Sequence, residues 1–199
     1  MNIFDFLIKK KIPKEVYGFK KTIMHLTDTP DIIFPYLKRL IKLIEPDIII
    51  HTGDLVDNIK LELSRQEIDI YEKRVDKLLT ILRSQQPEQI LIASGNHDDK
   101  TIINKYLQLN EFLFEKTLIT IEKKRYCFAH KHTMFSGEVA DYFLYGHSPN
   151  VPTNFSGDSY ELNGLSAIYV IDITSGKVIE IPYPKDTDYF RQKKFKLGF

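Results

Sequence analysis

Acidic, amide and imidazole side chains stand where several apolar segments of this chain end. They are Asp28 in HLTDTP, Asp54 in HTGDLVD, Asn96 and His97 in SGNHD, His130 in FAH, and His147 in YGH. A single Gly-Asp or Gly-Asn pair after a strand is commonly only a turn. A series of such segment ends is hard to explain by turns alone. The pattern therefore indicates side chains that meet at one site.

The chemistry of such a site follows from its donor atoms. Carboxylate oxygen, amide oxygen and imidazole nitrogen, without a thiolate, suit Mn, Fe, Zn or Mg better than copper or an iron–sulfur cluster. Two such ions about 3.5–4 Å apart, bridged by one carboxylate, can bind a phosphate and lower the pKa of a water molecule. Phosphoester hydrolysis requires both effects, so the donor set predicts a divalent-metal site suited to that reaction.

The first half of the chain predicts alternating strands and helices. PDIIIHTGD and QILIASGN are typical of buried strands, because each is a continuous apolar run that closes at a glycine. Apolar residues at helical spacing predict a helix over residues 34–45, in whose first turn Pro35 is tolerable. A longer amphipathic helix is predicted between Leu61 and Gln86, ended by Pro87, and TIINKYLQL predicts a third.

The second half is mostly β. TLITIEKKRYCFAH predicts a hairpin with a charged turn from Glu122 to Arg125, and DYFLYG predicts a short strand. SAIYVIDITSGKVIEIPY predicts a second hairpin, which turns at Thr174, Ser175 and Gly176. The two halves together indicate an α/β domain of mixed sheets flanked by helices. Its ligand site is expected where the carboxyl ends of the strands converge.

Composition limits the functional classes. The 199 residues are 43% hydrophobic and 28% charged, with a formal net charge of +1. We expect one soluble domain over residues 1–199, with short extensions at 1–20 and 184–199. The near-neutral charge disfavours nucleic acid as a partner. No apolar run is long enough to span a bilayer, and the N-terminal lysines follow the apolar patch, unlike in an export signal. The single cysteine, Cys127, is predicted to be buried and indicates a reducing, cytoplasmic location.

The two ends allow more than one interpretation. The apolar N-terminal patch is expected to pack on the domain, with a membrane surface or a partner as the alternative. The basic tail RQKKFKLGF is expected to be a solvated end that packs one or both phenylalanines. Contact with phosphate is the alternative for this tail.

From about Thr22 to about Tyr183, the chain resembles the calcineurin-like metallophosphoesterases. That family carries Asp-x-His, Gly-Asp-x-x-Asp, Gly-Asn-His-Asp/Glu, a His often followed by Gly, and Gly-His-x-His. This chain has DTP, GDLVD, GNHD, HKH and GHSP in the same order. The resemblance implies two mixed β-sheets packed face to face with helices outside, an α/β/β/α sandwich.

The resemblance also implies roles for the matching residues. Asp54 matches the carboxylate that bridges two metals, and Asn96, His130 and His147 match the other ligands of one metal position. Asp28 matches a ligand of the second position. Catalysis is implied for two further residues. His97 matches the imidazole that contacts the substrate phosphate or protonates the leaving oxygen, and Asp57 the carboxylate that orients it. Gly53, Gly95 and Gly146 are expected to bring the backbone close to the metals.

Two departures from the family pattern fall on one metal position. Pro30 and Pro149 stand where the family has histidines that serve the same ion as Asp28. The expectation is one complete metal site and a depleted neighbour. His132 is a candidate replacement ligand, with the alternative that it does not bind metal. Lys131 is either a surface lysine or a positive charge near bound phosphate.

His25 and His51 are expected to pack or hydrogen-bond inside the sheet. The best-supported function is a metal-dependent phosphoesterase, either a phosphodiesterase or a phosphatase, acting on a phosphoester that the sequence does not identify. A metal-binding scaffold without turnover and a nuclease remain the alternatives. Metal identity and oligomeric state stay open.

Overall fold

A computed structural model describes residue 8 and residues 12–155 and 159–192 of the chain. Its strands are β1 (Thr22–Leu26), β2 (Ile48–His51), β3 (Gln89–Ala93), β4 (Glu111–Phe114), β5 (Lys116–Ile121), β6 (Lys124–Ala129), β7 (Tyr142–Tyr145), β8 (Tyr160–Asn163), β9 (Ile168–Asp172) and β10 (Val178–Ile181). Its α-helices are α1 (Phe34–Ile44), α2 (Ile68–Leu82), α3 (Lys100–Tyr106) and α4 (Thr187–Arg191).

The strands form two mixed sheets. The first has the order β10-β9-β1-β2-β3-β4, in which β1 to β4 are parallel and β9 is antiparallel to β1. The second has the order β5-β6-β7-β8, with one antiparallel pair followed by two parallel pairs. Parallel neighbours direct their carboxyl ends to the same edge of a sheet. The loops after β1, β2 and β3 therefore lie side by side, as do those after β6 and β7.

Side-chain alternation along the strands divides the core into layers. Ile23, Ile48 and Ile50 pack against Tyr126 and Phe128, so that the two sheets face each other. The opposite face of the first sheet packs against α1, α2 and α3. The outer face of the second sheet is covered at Cys127, Ala129 and Tyr145 by the 3₁₀ helix His132–Phe135 and neighbouring loops. The expected fold of two mixed sheets flanked by helices is confirmed, and Cys127 is buried as predicted.

The helices follow the signals in their sequences. Pro35 lies in the first turn of α1, and Glu45 ends that helix in the left-handed conformation. The predicted long helix is shorter than its apolar pattern, because 3₁₀ turns at Arg65–Glu67 and Arg83–Gln85 flank α2. Asp99 caps α3, and its carboxylate accepts the N–H of Ile102 at 3.0 Å.

Both predicted hairpins form, with one adjustment. Ile121 pairs with Lys124, so the first turn is only Glu122 and Lys123, both at positive φ, and Arg125 belongs to β6. Strands β4 and β8 were not predicted from the sequence.

The two extensions pack on the domain where the structure describes them. Ile8, Ile12 and Val16 are buried against the helical side of the first sheet, and of these only Ile8 belongs to the N-terminal apolar patch. Residues 1–7 and 9–11 lie outside the described residues. The expectation of a solvated tail is wrong at its first residue, because Arg191 in α4 is buried. The two tail phenylalanines lie outside the described residues.

Candidate active site

Three of the predicted ligands have an uncommon backbone conformation. Asp28, Asp54 and His147 have φ angles of 47°, 53° and 62°, each just after a strand. Non-glycine residues rarely adopt positive φ, and such positions concentrate at functional sites. The fold thus turns the chain sharply at the end of β1, β2 and β7, and these turns bring the polar side chains to the strand ends.

Four of the predicted ligands converge. Donor atoms of Asp54, His130 and His147 lie within 4.8 Å of one another. The amide oxygen of Asn96 is 3.1 Å from Nε2 of His130. Nδ1 of His130 donates to the carbonyl of Thr52 at 2.7 Å, which leaves Nε2 free to bind a metal. Two imidazoles, one carboxylate and one amide oxygen fit a divalent ion of the Mn, Fe, Zn or Mg class.

The electrostatics of this group are dominated by Asp54 and His130. Oδ2 of Asp54 lies 3.3 Å from Nε2 of His130. Burial opposes a charge on His130, but the Asp54 carboxylate raises its pKa to about 9. Burial likewise opposes the charge on Asp54, and His130 outweighs it and lowers the Asp54 pKa to about 2. These surroundings therefore keep the Asp54 carboxylate ionised.

The second group of donors does not have the contacts that the resemblance implied. Asp54, Asp57 and His97 also lie within 4.8 Å of one another. Asp57, however, forms an ion pair with Lys60. The carboxylate nearest to Nδ1 of His97 is that of Glu62, at 3.3 Å. In this structure Glu62 is thus the carboxylate beside Nδ1 of His97, and Asp57 pairs with Lys60.

Burial shifts the pKa of both predicted catalytic residues. Burial and the carboxylates of Asp28 and Asp54 raise the pKa of Asp57 to about 8, against the effect of Lys60. Burial lowers the pKa of His97, while Asp54 and Glu62 oppose that effect.

Asp28 stands apart from both donor groups. Its Oδ2 accepts hydrogen bonds from Oγ1 of Thr27 at 2.6 Å and from the backbone N–H of His147 at 3.2 Å. Burial raises the pKa of Asp28. Pro30 precedes the 3₁₀ helix Asp31–Ile33, and Pro149 lines the cavity beside the site. Neither proline offers a side-chain donor atom for a metal.

Asp98 is a structural residue that the sequence analysis missed. Its Oδ2 accepts the N–H groups of Asp54 and Gly95, both at 2.8 Å. Its Oδ1 accepts the N–H of Leu55 at 2.9 Å and the hydroxyl of Tyr71 at 2.8 Å. One buried carboxylate thus fixes the loops that carry Asp54 and Asn96. The only sequence signal for this role was the position of Asp98 at the end of the GNHD motif.

The glycines allow these loops to approach closely. A Cβ on Gly95 would collide with Oδ1 and the backbone nitrogen of Asp54. A Cβ on Gly146 would collide with Oγ1 of Thr27 and Oδ2 of Asp28. The backbone can therefore reach the ligand carboxylates only because these positions lack a side chain.

A cavity of about 430 Å³ opens beside the ligands. Its lining residues are Asp28, Asp54, Asp57, Lys60, His97, His147, Pro149, Leu165, Ser166, Asp188, Arg191 and Gln192. Helix α4 forms one wall, and there Arg191 donates to the carbonyls of Asp28 at 2.8 Å and Leu165 at 3.0 Å. The described part of the C-terminal extension therefore lines the cavity.

The remaining histidines and Lys131 lie outside the ligand groups. His132 packs against Tyr145 and lies 3.6 Å from Glu161 on the outer face of the second sheet. It does not replace a missing ligand in this structure. His25 and His51 are fully buried, and their Nε2 atoms lie 3.0 Å from hydroxyls of Thr52 and Thr29. This confirms their assignment to the sheet interior. Lys131 lines a separate, shallower pocket next to Asn96 and His130.

Comparisons with known proteins place this geometry in a family. Among curated proteins, none matches the chain. A solved structure described as a novel archaeal phosphodiesterase aligns with a TM-score of 0.58 at 15% identity, covering 81% of this chain and 99% of that one. Yfce, a phosphoesterase from E. coli, aligns with a TM-score of 0.53 at 14% identity, covering 80% and 99%. At such identities these two likenesses concern the fold alone.

The sequence profile described as calcineurin-like phosphoesterase matches residues 21–177. This range contains both donor groups and the strands that carry them. It accounts for most of the chain and includes every predicted site residue. The chain therefore belongs to the calcineurin-like phosphoesterase family, whose members are metal-dependent hydrolases of phosphoesters.

Proposed function

We propose that the chain hydrolyses phosphoesters with one complete metal site and a depleted second one. The observation that carries this proposal is the convergence of Asp54, His130 and His147, with the amide oxygen of Asn96 beside them. These four residues would hold a divalent ion, for which we favour manganese. When bound, that ion would supply positive charge to the phosphate oxygens and help to activate water.

The chain's own side chains would position the substrate and move protons. His97 faces the cavity with Nε2 at 3.8 Å from Asp54, which suits an imidazole that holds or gives a proton at the leaving oxygen. Glu62 lies 3.3 Å from Nδ1 of His97 and supports its orientation. Backbone turns at positive φ hold Asp54 and His147 in place before any ligand arrives.

Depletion of the second site is supported by the residues around Asp28. The side chains of Pro30 and Pro149 have no metal-binding atom, and His132 packs on the outer face of the second sheet. We therefore expect purified protein to hold about one tightly bound divalent ion per chain. Inductively coupled plasma mass spectrometry measures that stoichiometry. Two tightly bound ions per chain would contradict the depleted-site proposal.

Turnover is the direct test. Wild-type protein with Mn²⁺ should hydrolyse aryl phosphodiesters or phosphomonoesters, and His97→Ala should lose roughly 100-fold or more of the rate because general acid–base groups contribute about that much. Mg²⁺, Zn²⁺ and Fe²⁺ are tested in parallel. If the wild-type rate does not exceed that of the His97→Ala control with any of these ions, the proposal is wrong.

A scaffold that binds metal without turnover is the second candidate, and the missing donors at Pro30 and Pro149 favour it. The double variant Pro30→His with Pro149→His tests this alternative. Activity that appears only in the double variant would support the scaffold, whereas activity in wild-type protein would exclude it.

We also propose that residues 1–199 form one domain in the cytoplasm. The burial of Ile8, Ile12 and Val16 on the common core, the burial of Arg191 and the single buried cysteine support this. Of the residues that the structure describes, none belongs to a helix long and apolar enough to cross a membrane.

A further inference from the structure

Two cationic side chains of the chain, Lys60 and Arg191, line the cavity beside the ligands. The guanidinium of Arg191 is largely occupied by the protein. It donates to the carbonyls of Asp28 at 2.8 Å and Leu165 at 3.0 Å, and to the carboxylate of Asp188 at 2.9 Å. Arg191 is therefore a structural residue that attaches helix α4 to the loop after β1.

Lys60 has more of its donors available. Its side chain is 13% exposed, and among the described residues its ammonium pairs with Asp57. An ammonium carries three N–H donors. One of them is directed at Asp57, and the cavity lies beside the group. The remaining donors are positioned for a ligand in the cavity.

The Lys60 ammonium lies next to the second donor group and lines the same cavity as Asp28. Asp57 belongs with Asp54 and His97 to the second donor group. A positive charge in contact with that group repels a divalent cation and already neutralises one of its carboxylates. Asp28 and Pro149, which belong to the side of the site with fewer donor residues, line the same cavity as Lys60. One cavity thus contains both the predicted depleted metal position and a largely buried cation.

A phosphate ligand needs such a charge. The side chains of Asp28, Asp54 and Asp57 all line the cavity, and the ionised carboxylate of Asp54 would repel an anion. One divalent ion compensates part of this repulsion. With the second metal position depleted, the chain must supply further positive charge if a phosphate is to bind there.

We propose that Lys60 takes the place of the second metal ion and binds a non-bridging oxygen of the substrate phosphate. Ammonium groups form strong, charge-assisted hydrogen bonds with phosphate oxygens. Asp57 then acts as the residue that positions Lys60. This inference rests on the proposed function, since it names the group that holds the substrate at the same site, but its test concerns anion binding.

The test compares variants by their affinity for inorganic phosphate. Lys60→Met removes the charge and keeps most of the side-chain length, and Lys60→Arg keeps the charge. Lys77→Met, at an exposed position of α2, is the matched control. Isothermal titration calorimetry of Mn²⁺-loaded protein gives the dissociation constant, and mass spectrometry of the same samples gives the Mn²⁺ content.

Lys60→Met should raise the phosphate dissociation constant roughly 10- to 100-fold, the usual effect of removing a hydrogen bond to a charged group. Lys60→Arg should lose much less, and Lys77→Met should match wild-type protein. The Mn²⁺ content should stay constant. Unchanged affinity in Lys60→Met, or no phosphate binding by Mn²⁺-loaded wild-type protein, would overturn the proposal.

A crystal structure of wild-type protein with Mn²⁺ and phosphate is a second readout that does not depend on how a variant folds. Nζ of Lys60 should lie within about 3 Å of a phosphate oxygen. A phosphate bound out of reach of Lys60 would overturn the proposal. The proposed function and the role of Lys60 can fail separately. If wild-type protein shows no turnover but Lys60→Met binds phosphate more weakly, the proposed function is wrong and the role of Lys60 is supported.

Discussion

At the scale of single residues, Asp98 holds the site together without facing the cavity. All four of its partners are donors: three backbone N–H groups and the hydroxyl of Tyr71. A carboxylate accepts at both oxygens, whereas an amide of the same shape accepts at only one end. The loops that carry Asp54 and Asn96 therefore depend on the charge state and the identity of this side chain.

Asp98→Asn should lower the free energy of unfolding by about 2–4 kcal/mol, because buried backbone N–H groups would face an amide N–H₂. Tyr71→Phe removes one of these four hydrogen bonds and the acceptor of the Asp99 N–H at 3.3 Å, and should cost about 1–2 kcal/mol. Urea denaturation at a fixed Mn²⁺ concentration measures both. Equal, small losses in the two variants would contradict this account of Asp98.

Ligand chemistry explains which residues could be predicted. Few residue types bind metals, so Asp54, His130 and His147 could be predicted from the sequence as candidate ligands, and the structure brings their donor atoms together. Glu62 and Lys60 could not, because their roles depend on which way side chains point in an irregular loop. Glu62 is 34 residues from Asn96 in the chain yet accepts its amide N–H at 3.3 Å. No spacing rule predicts such a contact.

At the scale of elements, the helices and hairpins with the clearest sequence patterns are present in the structure. Strands β4 and β8 escaped prediction, and each lies at the edge of its sheet. Edge strands bury less surface and so carry a weaker apolar pattern. The last two residues of β4, Leu113 and Phe114, are only half-buried. The other two edge strands, β5 and β10, were predicted because each is one arm of a hairpin, whereas β4 and β8 pair in parallel with β3 and β7 and have no hairpin turn to mark them.

The loop between β3 and α3 gives a test at this scale. Gly95→Ala should weaken Mn²⁺ binding by about tenfold or more, since displacing a group that supports a metal ligand commonly costs that much. The added Cβ would collide with Asp54. Gly18→Ala is the control, because a Cβ there meets no heavy atom within 4 Å.

Isothermal titration calorimetry with Mn²⁺ measures both glycine variants. An affinity in Gly95→Ala equal to that of Gly18→Ala would show that the loop adjusts to the added Cβ. The close approach of the two loops would then not be required for metal binding.

At the scale of the whole molecule, the site joins two sheets. Asp54 and Asn96 follow strands of the first sheet, and His130 and His147 follow strands of the second. The C-terminal helix α4 adds a wall through Arg191. A metal bound to these residues would therefore link both halves of the fold, so metal loading should add to global stability.

The first sheet also contains two histidines that make the fold sensitive to acid. Burial and the neighbouring His51 lower the pKa of His25 to about 3. Burial likewise lowers the pKa of His51 to about 3, with His130 adding to the effect. Nδ1 of His25 has no hydrogen-bond partner among the described residues. A proton there would place an unpaired charge inside the protein.

The sign of the pH effect follows from these pKa values. An unfolded histidine has a pKa of about 6.5, so below that pH the unfolded chain binds more protons than the folded one. Stability is therefore fully present above about pH 6.5 and falls as the pH drops toward the folded pKa of about 3. Each such histidine contributes a slope of about 1.4 kcal/mol per pH unit.

His25→Gln should remove one of these two contributions. Between about pH 7 and about pH 5, wild-type protein should lose about 2 kcal/mol more of its unfolding free energy than the variant does. Urea denaturation at several pH values and one Mn²⁺ concentration measures the difference. A packing defect in the variant lowers its free energy of unfolding by the same amount at every pH. The comparison therefore uses the slope of the unfolding free energy against pH. Parallel curves for the two proteins would mean that His25 is protonated as easily in the folded sheet as in the unfolded chain.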